Sequence, residues 1–417
     1  MSIFQPLLYS QGHSEEFWLE TPFLPNYLET EKELFKGGLY IADLTNVLQK
    51  VSMHLTSSNL FFYTEEDTVK SADIRWLLLS PFTEDSEHKG KQFGFSLKSL
   101  VKTYDFYVES EAGLNQWVNL LSEIVIMSDF DIYFMIIKNI DSGHFGEVKL
   151  CTNLYTNEHF AVKIVEKSKL AKRKILKCLY NEILIQKKLD HQNIVKLYKV
   201  FEDENFVYLV MEYVKEGNLL ERIQMGSIEA AEAINFSKNL LEVVQYIHGQ
   251  GVIHRDLKPE NILIEEKHSI SMFKIADFGL AYFSTENKTK CSGSPGYIAP
   301  EILRGQPYNS KSDIFSVGVI SYQLISRFSP FQGSDLQDLV RQNSKCNVNF
   351  GFAIFKSVPL FTQNFLKKVL NPNPDSRPSA LEILQNEWRW NAKGSDSTSG
   401  SSSAFNTFTF VSNKFTK

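Results

Sequence analysis

The chain has 417 residues, 43% of them hydrophobic and 22% charged, with a formal net charge of −5. That length exceeds one typical core and predicts two domains, and the balance is that of a soluble globular protein. The mild acidity argues against a general nucleic-acid binder, which would be strongly basic. Cys151, Cys178, Cys291 and Cys346 are widely spaced and form no C-x-x-C pair. A disulfide framework or zinc site is therefore not expected, and a reducing compartment is. The first residues lack a basic stretch followed by a long apolar run, and no apolar run could span a bilayer. We therefore expect a cytoplasmic protein, with peripheral membrane attachment left open.

In chain order, residues 1–35 show weak periodicity and three prolines, Pro6, Pro22 and Pro25, and predict an extended leader or a docked irregular segment. Short β-type runs follow at Gly38–Ala42, Lys50–Leu55, Asn59–Thr64, Ile74–Leu79, Phe93–Leu97 and Tyr104–Glu109. Turn-rich stretches separate them, as in a small sandwich or barrel. Glu111 to Met127 predicts a helix, because Leu114, Trp117, Val118, Leu121 and Val125 share one face. Several strands closed by a Trp-bearing helix, with the run Tyr104 to Glu111 before Trp117-Val118, resemble a pleckstrin-homology domain over residues 36–128.

Ile132 to Ile140 reads as a strand, so little linker precedes the next domain. The segment Ile140-Asp141-Ser142-Gly143-His144-Phe145-Gly146-Glu147-Val148 is a strand–turn–strand with two glycines, and Ala161-Val162-Lys163 follows. Glu182 lies on a helical segment ending near Leu189. Further on comes His254-Arg255-Asp256-Leu257-Lys258-Pro259-Glu260-Asn261, and then Asp277-Phe278-Gly279. This order places a proton acceptor, a cation for phosphate and two oxygen ligands at a spacing suited to phosphoryl transfer. The set resembles the motifs of the eukaryotic protein kinases over residues 132–392. The expected fold is α+β: a bilobal kinase preceded by the small β-sandwich or barrel with its closing helix.

The resemblance implies roles residue by residue. Asp256 would accept or orient the proton of the attacking hydroxyl, and Lys258 would neutralise the transferring phosphoryl group. Asn261 and Asp277 would hold Mg2+, a hard cation that prefers oxygen. Gly143 and Gly146 would let backbone N–H groups approach the ATP phosphates. Asp141 replaces the first glycine of the loop, which puts an acid near a polyanion. Lys163 would pair with the α- and β-phosphates and be held by Glu182. Ile140, Val148, Ala161 and Leu263 would flank the nucleotide, with Met211, Glu212 and Tyr213 as the hinge and Met211 as gatekeeper.

Lysine in Leu257-Lys258-Pro259-Glu260 resembles Ser/Thr kinases, and Ser294 in Gly293-Ser294-Pro295-Gly296 matches the hydroxyl that bridges the catalytic aspartate and lysine. The resemblance implies that Asp313 braces the catalytic loop and that Arg377 pairs with Glu301. Arg255 would receive a phosphorylated activation loop at Thr289 or Ser292, raising activity. Phe160 to Lys167, Gly296 to Leu303 and Arg377 to Leu384 look most like the calcium/calmodulin-dependent kinase group. No basic amphipathic segment follows to bind calmodulin, and Gly394 to Ser403 predicts a Ser-rich disordered tail over 393–417.

One departure stands in the helix that carries Glu182. Gln186 occupies a usually apolar position, and unpaired it would cost on the order of 1–3 kcal/mol. We therefore expect helix placement to depend on help from the first domain. Lys36 and Lys50 offer that domain only a weak phosphoinositide anchor, so protein docking or control of the kinase is as well supported. The overall expectation is an ATP- and Mg2+-dependent Ser/Thr protein kinase acting on protein substrates. The alternative is a pseudokinase scaffold with a docking domain.

Overall fold

A computed structural model describes residues 3–4, 17–21, 31–42, 47–64, 68–83, 93–99, 102–142, 146–226, 228–285 and 292–388. The predicted tail, Thr289 and Gly143 lie outside these residues. The chain forms two compact units. One comprises residues 1–177 with 197–213, the other 178–196 with 214–417.

The first unit is organised by one fourteen-stranded sheet. Its strands in chain order are β1 (Leu19–Thr21), β2 (Phe35–Ala42), β3 (Leu48–Leu55), β4 (Asn59–Tyr63), β5 (Val69–Asp73), β6 (Leu78–Phe82) and β7 (Phe93–Lys98). They continue as β8 (Thr103–Val108), β9 (Ile126–Met127), β10 (Phe134–Ser142), β11 (Glu147–Asn153), β12 (His159–Glu166), β13 (Leu197–Glu202) and β14 (Phe206–Glu212). Alternation sets the faces: Phe95 and Leu97 on β7, and Phe106 and Val108 on β8, are buried. The register sets Phe95 opposite Phe106, with stacked rings 5.1 Å apart.

The helix Glu111–Leu121 starts where the Ser110 hydroxyl accepts the Gly113 N–H at 3.2 Å. It buries Leu114, Trp117, Val118 and Leu121, and the Trp117 ring meets Phe35 edge-on at 4.9 Å. It is shorter than the periodicity over Glu111–Met127 predicts. The chain leaves the helix after Leu121 and extends at Ile126–Met127, where strand pairing replaces the helical bonds. The expected strand Ile74–Leu79 is also corrected. Ile74 to Leu77 forms a turn closed by Leu77 N–H to the Ile74 carbonyl at 3.1 Å, between β5 and β6. The polar sequence Val69-Lys70-Ser71-Ala72-Asp73 concealed β5.

Strand β9 joins the two halves of the sheet. Ile126 pairs in parallel with Leu78 of β6 and with Val200 of β13. The core follows the sheet across this junction. Leu121, Val125, Met127, Phe130, Phe134, Phe201 and Tyr208 belong to one buried cluster with Phe95 and Trp117. Phe130 stacks flat on Tyr208 at 4.4 Å and meets Phe201 edge-on at 5.6 Å. Parts of residues 1–35 dock here too. β1 pairs with β5, Phe17 stacks on Tyr104 at 4.0 Å, and buried Phe4 lies 5.1 Å from Trp76. The Ile3 N–H donates to Glu202 Oε1 at 2.7 Å, an oxygen that Lys167 Nζ also reaches at 2.8 Å.

The second unit is mainly helical. Its core is built on the helices Ala230–Gly249 and Ser310–Ser326. Two small two-stranded antiparallel sheets lie beside them: β15 (Val252–Ile253) with β18 (Tyr282–Phe283), and the hairpin of β16 (Ile262–Glu266) with β17 (Ser269–Ile275). Asn309 caps the helix Ser310–Ser326 in a capping box, its side chain accepting the Lys311 N–H at 2.9 Å.

Arg377 is fully buried. Its guanidinium donates to both Glu301 oxygens, at 2.8 and 3.0 Å, and to the carbonyls of Lys311 and Asn371, at 2.7 and 2.8 Å. The pairing expected from the sequence is therefore present in bidentate form. Arg377→Ala would strand the Glu301 carboxylate in a dry site, and we expect a loss of about 3–5 kcal/mol. Denaturant unfolding at neutral pH measures it.

Candidate active site

Strand β15 delivers the chain into the loop His254–Asn261. A buried carboxylate holds this loop from beneath. Asp313 Oδ2 accepts the His254 N–H and Oδ1 the Arg255 N–H, both at 2.9 Å, and His248 Nε2 lies 2.9 Å from Oδ2. Burial pushes the Asp313 carboxyl up. The His248 hydrogen bond and the charges of His248 and His254 outweigh it and hold the group below its ordinary value. These bonds sustain Arg255 at φ 71°, in the left-handed region that a side chain disfavours.

Above the brace, four side chains converge. Ser294 Oγ donates to Asp256 Oδ1 at 2.8 Å and accepts from Lys258 Nζ at 2.9 Å. Lys258 Nζ also stands 3.4 Å from Asp256 Oδ2. Asn261 Nδ2 donates to the Asp256 carbonyl at 2.8 Å and to Oδ2 at 3.2 Å. Ser294 can come this close because Gly293 precedes it. At φ 111° that residue lies against the loop, and an added Cβ would sit 2.7 Å from the Arg255 carbonyl oxygen.

The hairpin β16–β17 places the two expected metal ligands. Ile262 pairs with Ile275, and the Ala276 N–H donates to the Asn261 carbonyl at 2.8 Å, so Asn261 and Asp277 flank the same end. Asp277 has φ 59°, and its Oδ1 accepts the Gly279 N–H at 3.2 Å. The donor chemistry fits a hard divalent cation. The Asn261 amide spends its N–H groups on Asp256, which leaves its oxygen, beside a carboxylate, as the ligating atom. Phe278 is buried next to His254, ring centroids 4.8 Å apart.

The expected nucleotide residues divide between the units. In the first, Ile140 is exposed near the end of β10, and Val148 pairs with Lys163 across β11 and β12. Ala161 lies opposite Met211, Glu212 ends β14, and Tyr213 follows. Lys163 is buried. Gly146 stands where an added Cβ would fall 2.1 Å from the Ile164 carbonyl oxygen, so glycine alone fits. In the second unit, Glu182 and Gln186 are buried on the helix Arg173–Lys188, and Leu263 lies on β16 bridged to Asn218.

Sequence reasoning missed residues that fix the loop expected to receive substrate. Asn343, fully buried on the helix Leu336–Lys345, accepts the Gly296 N–H at 3.0 Å and donates to the Ile298 carbonyl at 2.9 Å. A polar residue on a helix's inner face is the signal that could have marked it. Tyr308, which carried no motif, contacts the loop at Ser292.

Residues 134–389 match the model of the protein kinase domain. Among curated proteins, the chain is 34% identical over 278 residues to "Probable serine/threonine-protein kinase 2" of Plasmodium falciparum, covering 66% of this chain and 53% of that one. It is 36% identical over 259 residues to "CBL-interacting protein kinase 32" of Oryza sativa, covering 60% and 57%. It is 38% identical over 259 residues to "Calcium-dependent protein kinase 4" of Plasmodium falciparum, covering 60% and 48%. The chain thus spans about half the length of the curated relatives it matches. With the family's domain model matched over more than half its residues, the chain belongs to the protein kinase family, whose fold is bilobal and α+β.

Proposed function

We propose that the chain is a protein serine/threonine kinase that transfers the γ-phosphoryl group of ATP to hydroxyls of protein substrates. The observation that carries this reading is Ser294 Oγ held between Asp256 Oδ1 and Lys258 Nζ, at 2.8 and 2.9 Å. A carboxylate and an ammonium thus flank one hydroxyl position, where an incoming hydroxyl that takes the place of the Ser294 Oγ can lose its proton while charge grows on the phosphoryl oxygens. Asp256 takes that proton, and Lys258 offsets the charge. Asn261 and Asp277 would hold Mg2+, which would supply positive charge to offset that of the ATP phosphates. Lys163 would position the α- and β-phosphates, with Glu182 as the partner that the family pattern gives it and with Gly143 and Gly146 covering the phosphates. Ile140, Val148, Ala161 and Leu263 would enclose the adenine, and the backbone of Met211, Glu212 and Tyr213 would bind its edge.

The test is transfer of radiolabelled γ-phosphate to a peptide mixture containing serine, threonine and tyrosine. Label on serine and threonine alone is expected; label on tyrosine, or none, overturns the reading. A cytoplasmic location fits the residues present. Among the described residues no helix is long and apolar enough to cross a membrane.

The strands β2–β8 and the helix Glu111–Leu121 are read as a pleckstrin-homology-like domain. Lys50 does not present a free charge to an anionic lipid: it pairs with Glu109 at 2.8 Å, and Glu109 also accepts from the Tyr40 hydroxyl at 2.6 Å. This favours protein docking or control of the kinase over phosphoinositide binding. Liposome co-sedimentation should show no gain when a phosphoinositide is added to neutral vesicles.

A further inference from the structure

The activation segment is held at Ser292 by Tyr308, a residue that belongs to none of the kinase-like motifs. The Tyr308 hydroxyl accepts the Ser292 N–H at 3.0 Å and donates to the Ser292 carbonyl. The same ring lies over the Arg255 guanidinium, 4.1 Å from its carbon to the ring centroid. Arg255 in turn donates to the Ser292 hydroxyl, and to the Leu280 carbonyl at 3.3 Å. Tyr282 also supports the group. Its hydroxyl donates to the Tyr308 carbonyl at 3.2 Å, and its ring centroid stands 5.1 Å from the guanidinium carbon.

Tyr308 immediately precedes Asn309, the cap of the helix Ser310–Ser326. That helix also carries Asp313, the brace of the catalytic loop. One helix N-terminus therefore fixes both sides of the site. Asp313 holds the backbone of His254 and Arg255, and Tyr308 holds the backbone two residues before Ser294. The guanidinium that would receive a loop phosphate already has a hydroxyl partner and an aromatic face.

We infer that Tyr308 is a positioning residue for phosphoryl transfer: its hydroxyl and ring keep the segment Ser292–Ser294 against the catalytic loop, so that the substrate-receiving form persists without a phosphate on Ser292. The inference rests on the kinase reading for its effect on turnover, and its structural content can be read separately. A phosphate on Ser292 would meet the same guanidinium, but loop order does not wait for it.

The test uses the full-length chain after phosphatase treatment, with mass spectrometry to verify that no phosphate remains. Tyr308→Phe keeps the ring and removes only the hydroxyl. Hydrogen exchange at the amides of residues 292–297 should speed up by about tenfold or more. In kinetics, the KM for peptide should rise by about tenfold, while the KM for ATP and the slow hydrolysis of ATP without peptide stay unchanged. Ser292→Ala removes the Arg255 bond and the phosphate acceptor but leaves the Tyr308 bonds to the backbone, so its peptide KM should stay within about twofold of wild type. Unchanged exchange in Tyr308→Phe overturns the inference. So does a loss in Ser292→Ala as large as in Tyr308→Phe, or a wild-type chain that binds peptide only when phosphorylated. If no chain transfers phosphate while exchange still responds to Tyr308→Phe, the kinase reading fails and the clamp stands.

Discussion

Asp256→Asn should lower kcat for peptide phosphorylation by about 10² to 10⁴, the range attributed to a positioned general base. Asparagine keeps the size of the side chain and can still accept from the Ser294 hydroxyl. It cannot take a proton, and it brings an N–H group towards Lys258, whose Nζ stands 3.4 Å from Asp256 Oδ2. The loss should fall on kcat, because the residues expected to bind ATP lie elsewhere. Steady-state kinetics, with nucleotide binding measured separately by fluorescence or calorimetry, checks both halves. A variant retaining most of its turnover would remove Asp256 from the chemistry. Unaltered nucleotide affinity beside lost turnover would locate the defect at the hydroxyl.

Deleting residues 1–125 should leave a chain that does not fold stably, an effect larger than that of any single substitution considered above. The kinase portion resembles a module that could stand alone, but its core does not end where the family match begins. Phe130 precedes the match at residue 134, yet it stacks on Tyr208 and packs against Phe201. Val125, Met127, Leu121 and Trp117 continue the same buried cluster into the N-terminal strands. Phe130→Ala alone should cost about 3–5 kcal/mol, the usual loss for a buried aromatic ring. Removing every neighbour before residue 126 exposes far more apolar surface. Soluble yield and thermal unfolding of the truncated and full-length chains decide it. A truncated chain with a wild-type melting midpoint would show the two halves to be independent.

The candidate active site was largely legible in the sequence because the chemistry proposed for it fixes residue types at short spacings. Asp256, Lys258 and Asn261 lie on one loop, and hairpin pairing brings Asp277 back beside Asn261. Ser294 was readable from the motif Gly293-Ser294-Pro295-Gly296, and the structure adds that only glycine at 293 tolerates the approach to the Arg255 carbonyl. What the sequence hid are partners whose roles depend on distant contacts. Tyr308 carries no local pattern and Asn343 only its place on a helix's inner face, and nothing near them in sequence says that one meets Ser292 and the other Gly296. The N-terminal half was read less well. Its closing helix passes after Leu121 into turns that end at Val125, and strand pairing takes over at Ile126, which the apolar periodicity does not reveal. β5 escaped because its two faces differ too little in polarity over five residues.

Strand β9 is only two residues long, yet it changes what the sheet presents to other molecules. Without it, β13 would offer a row of open backbone donors and acceptors next to buried Val200 and Phe201. Such a row is a template for pairing with another chain, and therefore a route to aggregation. With β9 in place, the sheet terminates instead at β1, three residues carrying the charged Glu20, and at β10. The N-terminal strands thus act as a cap on the kinase sheet. A chain cleaved after Met127, with β9 lost from the sheet, would be prone to self-association through the open edge of β13.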